Sequence, residues 1–275
     1  SDIAISGLSI LDNSYTFFFF FYSNNGTDYI LRETDGTADF ETFYLSIKVD
    51  LFSGDSDANS VSGNDGNDTI YGQGGNDSID GGGNSDYISG GDNDDRISGG
   101  SDGDTLYGDA GNDSIDGGDS NDSVYGGIGN DTLLGGNADD KLYGEDGDDT
   151  LYSDGGIDYI DGGTGTDLLL FGGTGTARVV VNLSAGAISY DTANSLAANS
   201  ILDNGGNTDT VGSLSIENVT GGIGADTFAG STANNVLNGA GGNDYFYASL
   251  GTDNIIGNTG SDTLDFTNLT TTAGV

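Results

Sequence analysis

Residues 63–71 read GNDGNDTIY and residues 72–80 read GQGGNDSID, two nine-residue units with glycine, aspartate and isoleucine at matching positions. The nine-residue period continues without a gap through twelve units, over residues 63–170. A degenerate unit, 54–62, precedes them, and five further units occupy 221–265. A fixed period over this length predicts a solenoid, in which each unit adds one structural step.

Position six of the unit is aspartate in the twelve regular units of the first block, 54–170, and in four of the five units of the second block, 221–265. Asn59 and Asn235 occupy this position in the remaining two units, which predicts weaker metal sites or none there. The predicted metal ligands are the aspartates at position six: Asp68, Asp77, Asp86, Asp95, Asp104, Asp113, Asp122, Asp131, Asp140, Asp149, Asp158, Asp167, Asp226, Asp244, Asp253 and Asp262.

Each position of the unit has a physical explanation. Position four is mostly Gly, Asn or Asp, which tolerate the left-handed backbone of a tight turn, and Ser120 and Ala138 are the exceptions. The last three residues are predicted to form a short strand whose middle, aliphatic side chain points inward. Two opposed units then make one coil, and stacked coils share a continuous core at about 4.8 Å per step.

Stacking also superimposes the carboxylates of position six, which would repel each other strongly. Carboxylate and backbone carbonyl oxygens in an irregular turn suit Ca²⁺, whereas Mg²⁺ demands a stricter octahedron. The sequence therefore predicts multiple calcium ions as the cofactor. An EF-hand is excluded at Asp55, Asp57 and Asn59, which have its opening spacing, because Ser60 replaces the required glycine.

These GGxGxDx-aliphatic-x units, in uninterrupted array over 54–170 and 221–265, resemble the RTX family of calcium-binding β-rolls. The resemblance implies an all-β protein with a right-handed parallel β-roll, or β-solenoid. It implies about a dozen calcium ions, each between one turn and the equivalent turn one coil later, held by carboxylates of position six and by loop carbonyls. It also implies type I-like export and an extracellular or cell-surface location.

The charge of the chain limits its possible partners. The chain has 275 residues, with 5 Lys and Arg against 45 Asp and Glu, and its formal charge is −40. This excludes nucleic acid and anionic lipid surfaces, because clustered Lys and Arg bind both. The longest apolar run, 15–22, is far shorter than the roughly 20 residues that span a bilayer, so no membrane span is expected.

The residue types that catalysis most often uses are missing. The chain has no Cys and no His, which removes thiol nucleophiles and the commonest general base. Residues 99–103 match the G-x-S-x-G motif of serine hydrolases, but they lie inside the repeat, where Gly and Ser are common. The sequence therefore predicts no catalytic residues and no enzymatic activity.

Residues 1–53 contain no nonapeptide and are predicted to form a small aromatic, β-rich N-terminal segment. Alternating apolar residues from Phe43 to Leu51 predict a half-buried strand. The five phenylalanines Phe17 to Phe21 predict a strand buried on both faces. Such a strand would lie either within a cap on the first coil or against another molecule.

Two segments outside the blocks are predicted from their composition. Residues 171–220 lack the turn motif and are predicted to form a β insertion, from which 209–219 leads back into the repeat. Residues 266–275 echo the start of this insertion, which predicts the start of a further coil or an open end. Because repeat proteins need caps for solubility, we expect either a longer natural chain or a neighbour that covers this end.

Every odd-numbered regular unit of the first block carries one tyrosine at an outward strand position. Alternate units share one sheet of a roll, so these side chains are expected on one face. They predict either a cross-strand aromatic ladder or a contact face for a neighbouring molecule or a glycan. The tyrosines are Tyr71, Tyr87, Tyr107, Tyr125, Tyr143 and Tyr159.

Three classes of function fit these predictions. The first is a secreted, calcium-rigidified structural protein of a surface layer, sheath, filament or adhesin stalk, assembling through the Phe17 to Phe21 strand, the tyrosine face and the open end. The second is the secretion and folding module of a larger exported protease, lipase or polysaccharide-modifying enzyme. A glycan- or ice-binding module fits less well, because ice binding in related rolls uses a threonine row at position three, where this chain has Asp65 and Gly74.

Overall fold

A computed structural model describes residues 30–32, 41–44, 50–171, 180–183, 188–189, 195–196, 200–202, 208–212 and 216–266. All regular structure in these residues is β-strand. This part of the chain has no helix with the length and apolarity needed to cross a bilayer. The predicted Phe17 to Phe21 strand and residues 267–275 lie outside the described residues.

In the part of the chain that the structure describes, sixteen strands precede the insertion, and nine of them, β5 to β13, have six residues each. These longer strands join the end of one unit to the start of the next. The bounds are β1 (Ile30–Arg32), β2 (Glu41–Tyr44), β3 (Leu51–Ser53), β4 (Asn59–Ser62), β5 (Thr69–Gly74), β6 (Ser78–Gly83), β7 (Tyr87–Asp92), β8 (Arg96–Ser101), β9 (Thr105–Ala110), β10 (Ser114–Asp119), β11 (Ser123–Ile128), β12 (Thr132–Asn137), β13 (Lys141–Asp146), β14 (Thr150–Ser153), β15 (Tyr159–Asp161) and β16 (Leu168–Phe171).

The strands of the insertion and of the second block are shorter, with two to four residues each. Their bounds are β17 (Val180–Asn182), β18 (Ile188–Ser189), β19 (Ser195–Leu196), β20 (Ser200–Leu202), β21 (Thr208–Val211), β22 (Asn218–Thr220), β23 (Thr227–Ala229), β24 (Val236–Asn238), β25 (Tyr245–Tyr247), β26 (Asn254–Ile256) and β27 (Thr263–Asp265).

Two sheets run along the roll, and successive strands of the repeats alternate between them. The tyrosine sheet has the order β1-β3-β5-β7-β9-β11-β13-β15-β21-β20-β17-β23-β25-β27. The second sheet has the order β2-β4-β6-β8-β10-β12-β14-β16-β22-β24-β26. Within the repeats neighbouring strands are parallel, as in the pairs Ile88 with Leu106 and Ile97 with Ile115. Two units therefore make one coil, and the predicted all-β parallel roll is confirmed.

The core is the stack of position-eight side chains between the two sheets. From Ile70 to Leu169 each of these residues is at most 2% exposed. Burying one such side chain stabilises the fold by about 2 kcal/mol before the entropy of ordering is counted. In the second block Phe228 and Phe246 continue the stack, with ring centroids 5.2 Å apart. At the last described coil Leu264 is 42% exposed.

The two sheets extend upstream of the first nonapeptide. Strand β2 pairs with β4 so that Phe43 stands opposite Val61, and β3 pairs with β5 so that Phe52 stands opposite Ile70. Because β2 and β3 belong to different sheets, the prediction of one alternating strand from Phe43 to Leu51 is wrong. No glycine stands between these two strands to signal that the chain crosses between sheets.

The insertion adds strands to the tyrosine sheet. Strand β21 continues the parallel order beside β15, β20 lies antiparallel to β21 and to β17, and β17 pairs in parallel with β23. Val181 and Ile201 are fully buried, so these strands extend the core. Strands β18 and β19 form a separate antiparallel pair. The second sheet passes directly from β16 to β22.

The turns require left-handed backbone at position four. In all twelve regular units of the first block the residue at this position has a positive φ, including Ser120 at 80° and Ala138 at 82°. A residue with a Cβ atom pays about 1 kcal/mol or more for this conformation. Asn84, Asn93 and Asp102 also occupy this position, but Asn and Asp tolerate the conformation better than Ser and Ala do. The turns at Ser120 and Ala138 are therefore the most strained, and the stacked coils on either side hold them in place.

Candidate calcium-binding turns

The aspartates of position six lie at the end of each turn, two residues before the inward-pointing strand residue of position eight. Their backbone groups are fixed by the neighbouring coils. The N–H of Asp86 donates to Oδ1 of Asp104 at 2.7 Å, and the N–H of Asp104 donates to Oδ1 of Asp122 at 2.7 Å. The carbonyl oxygen of Asp86 accepts from the N–H of Thr105 at 2.9 Å. The same carboxylate-to-amide pattern recurs from coil to coil along the roll.

The structure places these predicted ligands in two parallel columns beside the core. Fourteen of the sixteen are at most 4% exposed, whereas Asp253 is half-buried and Asp262 is exposed near the last described coil. In fifteen of the sixteen, Oδ1 accepts from a backbone N–H of the preceding coil, and Asp226 accepts from the N–H of Gly222 through Oδ2 at 3.0 Å. The Oδ2 atom is buried and without a hydrogen-bond partner in twelve of them: Asp68, Asp77, Asp86, Asp95, Asp104, Asp113, Asp122, Asp131, Asp140, Asp149, Asp167 and Asp244.

These Oδ2 atoms face backbone carbonyl oxygens across a space that only glycine leaves open. A methyl group added to Gly99 would lie 2.5 Å from Oδ2 of Asp104 and 2.6 Å from the carbonyl oxygen of Gly117. One added to Gly117 would lie 2.6 Å from Oδ2 of Asp122 and 2.5 Å from the carbonyl oxygen of Gly135. Glycine at position one, which is replaced only by Ser153 and Ala248 in the regular units, therefore lets a carboxylate oxygen and a carbonyl oxygen come together.

This donor set fits calcium. Carboxylate and carbonyl oxygens are the ligands of a hard cation that accepts irregular geometry, which is the character of Ca²⁺. Across the described residues no three carboxylates converge on one point. Backbone carbonyls such as that of Gly117 would therefore complete the coordination, as the resemblance implies. Without a cation, each buried Oδ2 loses its hydration and gains no partner, which is costly.

The electrostatics of the columns agree with this assignment. Burial raises the pKa of Asp104 and Asp113 to about 7, while the backbone hydrogen bond from the preceding coil lowers it and neighbouring carboxylates raise it. Asp140 has its pKa raised to about 8 by the same causes, burial first. Near neutral pH, these carboxyls need either a proton or a cation in order to stay buried.

Three acidic residues that the sequence analysis missed join the columns. Asp50 donates its N–H to Oδ1 of Asp68 at 2.7 Å and is 3% exposed. Asp209 accepts from the N–H of Asp158 at 3.0 Å. Glu217 accepts from the N–H of Asp167 at 3.0 Å.

A short sequence signal marks all three missed residues. Each stands two residues before an apolar residue, as position six stands before position eight, in Asp50-Leu51-Phe52, Asp209-Thr210-Val211 and Glu217-Asn218-Val219. The segments around Asp50 and Glu217 lack the glycine-rich turn, so the nine-residue motif does not find them. Asp209 stands at position six of an isolated unit, 204–212, which reads NGGNTDTVG and departs from the motif at position one. The columns therefore continue outside the two regular blocks.

The two asparagines at position six differ from the aspartates and from each other. Asn235 accepts from the N–H of Ser231 at 2.8 Å through Oδ1, and its Nδ2 donates to the carbonyl oxygen of Glu217 at 3.0 Å. Both polar atoms of this side-chain amide therefore have hydrogen-bond partners, so Asn235 stays buried without a cation. Asn59 keeps the column pattern by donating its N–H to Oδ1 of Asp77, but its own Oδ1 is buried without a partner.

Comparison with known proteins supports the repeat assignment. A family model described as the RTX calcium-binding nonapeptide repeat matches residues 53–88, 79–106, 98–133, 125–160, 134–169, 220–255 and 247–265. Together these matches cover more than half of the chain. A search of curated proteins gives no significant match. The matched residues include all of the predicted ligands in both blocks.

Proposed function

Because the chain belongs to the family of RTX calcium-binding nonapeptide repeat proteins, we propose that it is an exported, non-catalytic structural module that folds when it binds extracellular calcium. Its place would be a surface layer, sheath, filament or adhesin stalk outside the cell. The observation that carries the proposal is the pair of columns with twelve buried carboxylate oxygens that lack a hydrogen-bond partner.

The proposed mechanism couples calcium binding to folding through the position-six aspartates. Each of these residues, such as Asp104, would hold an ion between coils together with the carbonyl oxygen of a glycine such as Gly117. When bound, calcium supplies the positive charge that these buried oxygens lack. Because the columns exist only in the stacked coils, binding and folding form one equilibrium. In low calcium the acidic chain, with its charge of −40, would stay unfolded through self-repulsion.

Features of the described residues support a structural role rather than a catalytic one. Ser101, the serine of the G-x-S-x-G match, ends strand β8 inside the regular repeat. Gly99 of the same match lies in β8 and is explained by close packing, since any larger residue would collide with Asp104 and Gly117. The chain has no histidine to act as a base. The motif therefore serves the fold.

Circular dichroism and light scattering during a calcium titration test the proposal. We expect a large, steep gain of β signal between chelator and millimolar calcium, and growth of the molar mass beyond a monomer or small oligomer. A β signal that does not depend on calcium would refute the folding mechanism. A calcium-dependent fold that stays a compact monomer would instead favour the export and folding module of a larger exported enzyme.

A further inference from the structure

The two faces of the roll differ at position two of the unit. On the second sheet the paired residues at this position are all glycine over four strands: Gly82, Gly100, Gly118 and Gly136. On the tyrosine sheet glycine alternates with longer side chains, in the order Gln73, Gly91, Asp109, Gly127 and Glu145. The tyrosine face therefore carries side chains separated by gaps at this position.

A groove of about 340 Å³ lies over the gap at Gly127, and it is called here the tyrosine groove. Gly127 pairs with Asp109 on one neighbouring strand and with Glu145 on the other, so side chains from both strands flank the gap. The remaining walls are Tyr107, Tyr125, Ile128 and Asp146. This volume falls within the range that receives a small ligand or one long side chain.

The aromatic wall of the groove is held in place by the tyrosine ladder. The ring centroids of Tyr107 and Tyr125 are 4.7 Å apart with planes 8° from parallel, and those of Tyr125 and Tyr143 are 4.9 Å apart with planes 5° from parallel. Because stacked rings fix one another, this wall loses little conformational freedom when a guest binds. Ile128, on another wall, is 65% exposed and offers apolar contact.

The charge of the groove selects a cationic guest. Asp109, Glu145 and Asp146 line it, and Lys141 is the sole Lys or Arg on strands β9, β11 and β13. Along β13, Lys141 and Glu145 lie on opposite sides of Tyr143. A guest that satisfies both the carboxylates and the tyrosine wall must combine positive charge with an apolar or planar body.

We propose that the tyrosine groove binds an arginine side chain of a basic partner protein. The guanidinium group of this arginine lies between Asp109 and Glu145, and the methylene groups of its side chain pack against Tyr125 and Ile128. Arginine fits better than lysine because its planar, multi-donor head can engage two carboxylates and stack on aromatic rings. A second copy of this chain is a poor source of the guest, because it carries 45 acidic residues and 5 basic ones.

The test uses the full chain in millimolar calcium at physiological salt, with a short fluorescein-labelled peptide of alternating glycine and arginine as the probe. The site variant combines Asp109→Asn with Glu145→Gln. Its matched control combines Asp80→Asn with Asp116→Asn, two exposed carboxylates on the second sheet. None of these four residues stands at position six, but each repels a nearby position-six carboxylate, so the calcium midpoint of the β signal should shift by a similar, small amount in the two double variants. Fluorescence anisotropy should show binding weakened by about tenfold in the site variant and by less than about twofold in the control.

Peptide controls separate the groove from general attraction to an acidic surface. The same peptide with citrulline in place of arginine should not bind, and a lysine peptide should bind more weakly than the arginine peptide. Equal weakening in the two double variants would overturn the proposal, and so would equal binding of the arginine and lysine peptides. Because the β signal is read in the same samples, a failure of calcium-dependent folding is distinguished from a failure of the groove. Glu145→Gln alone provides a second variant if the pair of substitutions disturbs the strand.

Discussion

The first and second repeat blocks share one motif but differ in how their turns are satisfied. In the regular units of the first block every position-six residue is a buried aspartate, and eleven of them have a buried Oδ2 without a hydrogen-bond partner. Among the described residues of the second block, only Asp244 has a buried Oδ2 without a hydrogen-bond partner. The side-chain amide of Asn235 is hydrogen-bonded to Ser231 and Glu217, and Asp262 is exposed. The buried carboxylates that need a cation are therefore concentrated in the first block.

The core residues of the two blocks also differ. The second block stacks the phenylalanine rings of Phe228 and Phe246 in its core, where the first block has Ile, Leu and Val. A buried aromatic side chain contributes a large apolar area. The coils around Phe228 and Phe246 therefore rely more on their core and on hydrogen bonds, and the first block relies more on its carboxylate columns.

In the absence of calcium, we expect pH to change the stability of the roll more than any single substitution does. Burial raises the pKa of the first-block aspartates to values from about 6, as at Asp131, to about 8 at Asp140, and in the second block it raises the pKa of Asp244 to about 6. A raised pKa means that the ion-free fold binds more protons than the unfolded chain between about pH 4 and the raised value. The stability of the ion-free fold is therefore greatest at acid pH and is lost as the pH rises through about 6 to 8.

In chelator, lowering the pH from about 8 to about 5 should restore β signal, mainly from the first block. In millimolar calcium the direction should reverse, because protons compete with the ion for the same carboxylates. Circular dichroism at a series of pH values, with and without calcium, measures both trends. A chelated protein that gains no β signal on acidification would contradict the assignment of the buried carboxyls as the cause of its instability.

The next largest effect is steric. Gly99→Ala would place a methyl group against Oδ2 of Asp104 and the carbonyl oxygen of Gly117, and should cost about 3 kcal/mol of unfolding free energy in calcium. Gly74→Ala is the matched control, because the nearest atoms there are 3.7 Å or more away. Chemical denaturation in millimolar calcium measures both variants. Equal stability of the two would mean that the glycine of position one does not shape the site.

Exchanging aspartate and asparagine at position six would sharpen the contrast between the blocks. Asp104→Asn should remove about 2 kcal/mol of calcium-dependent stability, because the buried Oδ2 loses its charge. Asn235→Asp should instead increase the dependence of stability on calcium. The variant loses the hydrogen bond to the carbonyl oxygen of Glu217, so its folded state should be less stable than the parent in chelator and should regain stability in calcium. Calcium titrations followed by circular dichroism give the midpoints. If both variants keep the parent midpoint, position six does not set calcium sensitivity.

The smallest expected effect lies in a strained turn of the first block. Ala138 has a φ of 82°, a conformation that glycine adopts without steric cost. Ala138→Gly should therefore stabilise the folded roll by about 1 kcal/mol, after part of the gain is offset by the greater freedom of glycine in the unfolded chain. Denaturation in calcium measures the difference. A destabilised Ala138→Gly variant would show that the alanine methyl group makes contacts that outweigh the strain.

The sequence allowed the fold and the main columns to be predicted because the period is strict. Asp68 to Asp167 were found at nine-residue spacing, and the structure brings them into two columns. Asp50 and Glu217 were missed because their segments carry no glycine turn, and only pairing with distant strands places them in register. Asp209 was missed because its unit, 204–212, stands alone, outside the uninterrupted arrays.

Other features depend on contacts between coils and could not be predicted from the sequence. The antiparallel strand β20 has no motif, and its position is set by its pairing with β17 and β21. The tyrosine groove combines position-two and outward strand residues of three neighbouring strands. Its residues are spread over 107–146 in the sequence and meet only when the coils stack.

Hydrogen–deuterium exchange read by mass spectrometry over a calcium titration reports on both blocks in one sample. We expect backbone amides of the first block, such as those of strands β9 to β12, to gain protection steeply with calcium. Amides beside Asn235 should change less between chelator and calcium. First-block strands that are already protected in chelator at neutral pH would contradict the claim that the buried carboxylate columns make folding depend on calcium.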